Sequence, residues 1–299
     1  MLDVIIVGAG PAGLSAALVL GRSRRYTLVC DSGQPRNASS RAVHNFLTRD
    51  GISPKEFRQI GREQLQPYAN VELRATTVTE IKREGNFFAV KLSDNTIQTT
   101  RALLLATGMT DTLPPIEGFT KFFGAGVFFC PYCDGWEVRD QPLVVFGQGA
   151  AGEALALQLL QWSRDIVLCT SGPSQLDARE LAFLAHNEIR VREDPIARVE
   201  GFDQQLERIV FADGSILPCR ALFLQSRPQR RLELLEQLGI GLPERYQQPI
   251  APGVYMAGDV YQTRWVSGAV ADGVEIGILI NKELQKEDLT RSYRVFKEE

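Results

Sequence analysis

Two cysteines stand two residues apart in CPYCDGW, residues 130–136, with an acid directly after the second. Three chemistries use this spacing: part of a zinc site, a structural disulfide, or a redox pair that opens and closes. Zinc asks for about four ligands. Beyond Cys130 and Cys133 the chain offers His44, His186, Cys30, Cys169 and Cys219, and none of the cysteines forms a second CxxC. His186 falls on a predicted helix and reads as a surface residue. Five cysteines in 299 residues is a low and odd count, so no disulfide scaffold is expected, and a reducing cytosol disfavours a static bridge. That leaves redox exchange as the strong reading. A cysteine at the start of a helix, beside its CxxC partner, can have its pKa lowered to about 3.5–7.5. Each exchange step also moves a proton, and Asp134 stands next to Cys133 to carry it if partial burial raises its pKa. Its plainer role is to cap the following turn.

Further chemistry comes from strand, Gly-rich turn and helix. DVIIVGAGPAGLSAALVL opens with a continuous apolar run, Val4 to Val7, as a parallel strand buried on both faces requires. Gly8, Gly10 and Gly13, with Pro11 and Ala12 between the last two, make GxGxxG. The first glycine turns tightly, the second lets backbone approach a pyrophosphate, and the third lets helix pack on strand. The helix N-terminus then faces the phosphates with free N–H groups. The next strand, TLVCD, ends in Asp31, a carboxylate placed to accept from a ribose. Arg36 and Asn37 follow in QPRN and can meet adenine or phosphate, whereas Arg22, Arg24 and Arg25 read as a solvated helix end. A second unit, PLVVFGQGAAGEALALQLL, repeats the pattern with Gly147, Gly149 and Gly152. Its next strand ends in Cys169, Thr170 and Ser171, with neither an acid for a ribose nor arginines for a 2′-phosphate. It has the shape of a dinucleotide site without the residues that select NAD or NADP. A unit kept for structure, with an empty pocket, is the competing reading.

A third stretch, GVYMAGDVYQTRWVSGAVADGVEIGILI, predicts a strand over Val254 to Ala257, then Gly258 and Asp259. A helix follows with Val266, Ala269, Val270, Val274 and Ile278 as its apolar positions. Asp259 can bind a ribitol hydroxyl or the pyrophosphate region. LLLATG places a buried strand before Thr107 and Gly108, at the turn-rich exit toward the second unit. The order implies one α/β domain inserted into another: two Rossmann-like three-layer nucleotide-binding domains, the first over 1–112 and 246–299, the second over 113–245. The net charge of -3 gives no reason to expect nucleic acid or an anionic membrane. No run of 18 apolar residues is present and the start lacks a basic flank, so a cytoplasmic location is expected.

GAGPAG, Asp31, ATG at 106–108, CPYCD at 130–134, the second GxGxxG and AGDV at 257–260 appear in the order of bacterial-type thioredoxin reductases. The resemblance covers nearly the whole chain. CDSGQPRN, HNFLTRDG and CPYCDGWEVRDQP are closer still to a branch similar to the dithiol oxidases that close disulfides in gliotoxin- and holomycin-type metabolites. The resemblance implies FAD on the first domain, held by Gly8, Gly10, Gly13, Asp31, Gly258 and Asp259, and a homodimer. It implies Cys133 as the flavin-side sulfur, Cys130 as the one exchanging with substrate, and Asp134 as the family's acid, where the dithiol oxidases often carry His. It puts the segment of His44 near the flavin or a dimer interface, where His44 binds FAD or acts on a thiol, unless it is structural. Trp265, in TRWVSG, falls near the flavin pyrimidine and can stack there or pack in a core.

The basic HRRxxxR-type motif of the family is absent: the place reads CTSGPSQLDAR. This argues against NADPH as electron donor. The expected function is an FAD-dependent thiol–disulfide oxidoreductase passing electrons between flavin and the Cys130–Cys133 pair. The other redox partner is then oxygen, ferredoxin or a second nucleotide, even a second FAD, in the inserted domain. The expected substrate is a thioredoxin-like protein or a small dithiol or disulfide. An NADPH-dependent thioredoxin reductase, an oxygen-dependent dithiol oxidase and a non-catalytic flavin redox sensor are the alternatives.

Overall fold

A computed structural model describes residues 1–225, 228–242, 248–261 and 265–298. The chain divides into two compact units, residues 1–38, 54–110 and 229–299 forming the first, and 39–53 with 111–228 the second.

The first unit is built on β1 (Leu2–Val7), the strand at the centre of the apolar run. It pairs in parallel with β2 (Thr27–Asp31) on one side and β6 (Ile97–Leu105) on the other. Outward lie β3 (Val71–Ala75), parallel to β2, and an antiparallel meander of β4 (Val78–Glu84), β5 (Phe87–Leu92) and β6. The strand Val254–Met256 adds in parallel to β6, which ties the C-terminal segment to the N-terminal one. Alternate residues of β1 face two cores. Val4 and Ile6 meet α1 (Pro11–Arg22) and the helix Val266–Glu298. Ile5 and Val7 meet Val78, Ile81, Phe88 and Leu235.

The two helices pack backbone to backbone, because a side chain on Gly273 would collide with the Ala12 main chain and one on Gly277 would crowd Ala16. The buried stripe of the long helix is Ala269, Ile276, Ile280 and Leu284. Ile278, expected on that stripe, is 43% exposed. The stripe follows the contact with α1, and Ile278 points away from it.

The second unit holds a parallel sheet in the order Arg190–Arg192, Ile166–Cys169, Leu143–Phe146, Ala221–Leu224, Val127–Phe128. A three-stranded antiparallel sheet, Ile196–Phe202, Gln205–Phe211 and Ile216–Pro218, lies beside it in the chain. Its core runs through Phe119, Val144, Val167, Ile209 and Phe211.

The expected class holds, an α/β chain with one Rossmann-like unit inserted into another, but its boundaries move. The expected end of the insertion, 245/246, lies outside the described residues. The chain already returns to the first unit at 229, because Leu232, Leu234, Leu235, Leu238 and Ile240 cover the Ile5 face of its sheet. Residues 39–53, expected in the first domain, belong to the second. Gly124 can sit against the Ser39 carbonyl only because it lacks a side chain, and the Asn45 amide donates to the Tyr132 carbonyl at 2.7 Å.

Candidate active site

The Cys130–Cys133 pair is bridged, with its Cα atoms 5.2 Å apart. Cys130 caps the short helix Pro131–Asp134, and Pro131 at the first helical position fixes the backbone where its missing N–H costs nothing. The N–H groups of Cys133 and Asp134 both donate to the Cys130 carbonyl, at 3.1 and 3.2 Å. Gly135 closes the turn beneath the Trp162 ring, which a Cβ would approach to 2.9 Å. Tyr132 stands edge-on to Trp162 at 5.4 Å and is 56% exposed, and Trp136 is 64% exposed under the Arg139 guanidinium. The expected helix start is therefore present, though only one turn long.

Asp134 follows on this turn. Burial pushes its carboxyl up to about 7, the nearby Glu137 carboxylate adds to the rise, and His44 opposes it. His44, expected near the flavin or a dimer interface, where it binds FAD, acts on a thiol or is structural, lies in the second unit. Its Nδ1 lies 3.4 Å from Asp50 and its Nε2 3.4 Å from Glu137. Sequence spacing gave no sign of this, because 87 residues separate Asn45 from Tyr132. Cys30, Cys169 and Cys219 are buried free thiols whose pKa values burial pushes up, to about 12 for the first two. They are poor nucleophiles. Among the described residues no group of three or more His, Cys, Asp or Glu is arranged to hold a metal.

The first Gly-rich turn fits a dinucleotide. Gly8 sits at φ 107° with its N–H on the Cys30 carbonyl at 2.8 Å, and a side chain there would strike the Ala106 carbonyl. A Cβ on Gly10 would meet nothing within 4 Å, which is the open approach a pyrophosphate needs. Pro11 starts α1, Ala12 is buried under Gly258 and Gly273, and Gly13 lies on the Gly8 carbonyl. A cavity of about 240 Å³ lies along Gly8, Cys30, Ser32, Thr77, Thr107 and Arg231, at the end of β2.

Around that turn, Asp31 is engaged by Arg62, a partner from the helix Pro54–Glu63 that the sequence did not reveal. Asn37 accepts from Arg58 of the same helix at 3.3 Å. Arg36 donates to Asp259 at 2.7 Å, which joins the QPRN segment to the GD segment. Thr107 donates to the Arg231 carbonyl at 2.9 Å, and Gly108 turns at φ 73°. Gly258, at φ 79°, donates to the buried Asp272, which orders the turn at the head of the long helix and which the sequence reading missed. Val266 begins that helix, and Trp265 just before it is 49% exposed, not a core residue. Thr263 and Arg264 lie outside the described residues.

The second Gly-rich turn has the same backbone scheme, Gly147 N–H to the Cys169 carbonyl at 3.2 Å and Gly152 packed on Gly147, but it is filled by the protein itself. The Gly149 N–H, which would face a phosphate, donates to the Ser174 carbonyl at 2.8 Å. The Gln148 side chain donates to the Thr170 carbonyl at 3.0 Å and meets Gln175 at 3.3 Å, while its N–H donates to Gln225 at 3.2 Å. Glu193 accepts from the Ser174 N–H at 2.8 Å, adding a carboxylate where a phosphate would need a cation. The groups of this turn that would face a dinucleotide are bonded within the protein.

Comparison with known proteins shows the family of the chain. Residues 2–273 match the family model described as pyridine nucleotide-disulphide oxidoreductase. The thioredoxin reductase tcpT of Claviceps purpurea is 31% identical over 87% of this chain and 86% of its own length. The crystal structure of a putative thioredoxin reductase, TrxB, from Bacillus anthracis superposes with a TM-score of 0.92 at 31% identity, covering 96% of this chain and all of that one. The crystal structure of HlmI does so with a TM-score of 0.92 at 34% identity, covering 98% and 96%. The chain therefore belongs to the pyridine nucleotide-disulphide oxidoreductase family, as a thioredoxin reductase-like flavoprotein enzyme.

Proposed function

We propose that this enzyme passes electrons between FAD and the Cys130–Cys133 pair without NADPH as the donor. The observation that carries the reading is the self-filled second turn, where the Gly149 N–H and the Gln148 side chain are already bonded to the 170–175 segment. The first turn, with Gly8, Gly10, Gly13 and Asp31, would hold the FAD dinucleotide, and Gly258 and Asp259 its ribitol side. The flavin, when bound, supplies the two-electron step to or from the disulfide. Cys130 exchanges with the substrate sulfur, Cys133 takes the flavin side, and Asp134 accepts or returns the proton at each exchange. The partner is a thioredoxin-like protein or a small dithiol or disulfide. The family resemblance supports a homodimer, and the unspent, buried thiols suit a reducing cytoplasm.

The test is an anaerobic titration of the purified flavoprotein with NADPH, with dithionite and a dithiol in parallel. Bleaching by dithionite and dithiol, but not by one equivalent of NADPH, is the expected result. Bleaching at about one equivalent of NADPH would return the protein to the ordinary thioredoxin reductases. A flavin content near two per chain would contradict the filled second turn.

A further inference from the structure

The segment 43–52 folds back on itself and lies against the redox turn of its own unit. Val43 and Ile52 bridge, the Gly51 N–H donates to the Val43 carbonyl at 2.9 Å, and Arg49 closes on Phe46 at 2.9 Å. Asn45 stands at φ 59°, a backbone that asparagine tolerates better than most residues. It makes two bonds from that position. Its side chain donates to the carbonyl of Tyr132, between the two cysteines, at 2.7 Å, and its N–H donates to Asp50 at 2.7 Å. Asp50 is thereby fixed beside His44 Nδ1 at 3.4 Å, which directs Nε2 to Glu137 at 3.4 Å. Glu137 is three residues beyond Asp134 on the redox turn. An imidazole held by one carboxylate at Nδ1 and facing another at Nε2 has a proton path through its two nitrogens.

We propose that His44 is a positioning residue of the redox centre, relaying protons between Asp134 and solvent during thiol–disulfide exchange. The proposal rests on the reading of Cys130–Cys133 as redox-active. In the direction that oxidises a dithiol, the first substrate thiol attacks Cys130. A new S–S bond forms, the Cys130–Cys133 bond breaks, and Cys133 leaves with the electron pair. The second substrate thiol then attacks the mixed disulfide, releasing the substrate disulfide and the Cys130 thiol. Two electrons have moved from substrate to the pair; one thiol proton ends on Cys130 and the other leaves through Asp134, so Cys133 is left as the thiolate. Asp134 takes the proton of an attacking thiol, and the His44 ring returns Asp134 to its ionised form by accepting that proton and releasing it outward. The reverse direction runs the same protons backward.

The charged groups facing Asp134 are Glu137 from its own turn and His44 from the segment 43–52; those facing His44 are Glu137 and Asp50. Their effects on Asp134 have opposite signs. His44 holds its carboxyl down and Glu137 pushes it up, around a value of about 7.

The experiment is single-turnover reduction of the oxidised holoenzyme by dithiothreitol from pH 5.5 to 9, in wild type, His44→Gln, His44→Ala and Glu137→Gln, with flavin content checked in each. Wild type should gain rate as pH rises through about 7. His44→Gln should move that limb to higher pH and slow exchange at pH 7 on the order of 10-fold. Glu137→Gln should move it to lower pH, and added imidazole should restore His44→Ala. Limbs that stay in place in both variants, or move the same way, overturn the proposal while leaving the redox reading intact. A wild-type pair that does not exchange with dithiothreitol sinks the redox reading itself and the relay with it.

Discussion

The two Gly-rich turns share a backbone and differ in what occupies them. In each, the first glycine donates to the carbonyl at the end of the next strand, Cys30 in one and Cys169 in the other. The first turn carries the small, buried Ala9 after its leading glycine, and the second carries Gln148 at the same place. Ala9 leaves the approach to Gly10 open. Gln148 reaches the carbonyl of Thr170 and meets Gln175, and the Ser174 carbonyl takes the Gly149 N–H. A fold that presents N–H groups to an anion can thus be closed by one amide side chain and one short loop. The fingerprint reports the backbone and not what the residue between its first two glycines bonds to.

The largest expected effect breaks the first turn. Gly8→Ala puts a side chain into the Ala106 carbonyl at φ 107°, so flavin per chain should fall close to zero by absorbance, whereas Gly149→Ala should keep full flavin. Gln148→Ala strands the Thr170 and Gln175 partners of the second turn. It should destabilise the protein by about 1–3 kcal/mol in chemical unfolding, with flavin content unchanged. If NADPH bleaches the flavin of Gln148→Ala but not of wild type, the amide alone closes the turn. Gly149→Ala adds a Cβ at φ 57°, where space is open toward Gln175 at 3.9 Å, so its cost is backbone strain of about 1 kcal/mol.

A further effect is in pH. Asp134 binds its proton more tightly folded, at about 7, than unfolded, so its contribution to stability is present in acid. It is lost as pH rises from the ordinary carboxylate range to about 7, and stays lost above. Asp134→Asn should therefore raise the melting temperature more at pH 8 than at pH 5, while flavin content at the first turn stays level across that range. An equal shift at both pH values would place Asp134 in a solvated setting.

Much of this was legible in order and pattern. The strand Thr27–Asp31 stands where the apolar run and its acid put it, and the CxxC lies at a helix start. The missing basic motif after Cys169 pointed away from NADPH, but a missing motif could not reveal that Gln148 bonds to Thr170 and Gln175. His44 and Arg36 were assigned by neighbourhood in the chain, and both found partners far along it, Glu137 and Asp259. Trp265 was open between stacking and core, and its exposure removes the core.

By itself the sequence determined the local devices: the period of each strand and helix, the glycines that positive φ or close approach demands, and a cysteine pair with an acid beside it. These depend on neighbours within a few residues, which pattern records. Only the tertiary structure decided which unit receives the segments 39–53 and 229–242, what lies in each Gly-rich turn, and which charges surround Asp134. Those outcomes depend on hydrogen bonds and apolar contacts across long stretches of chain, such as Asn45 on Tyr132 and Leu235 under Ile5, whose strength comes from burial that no local pattern encodes.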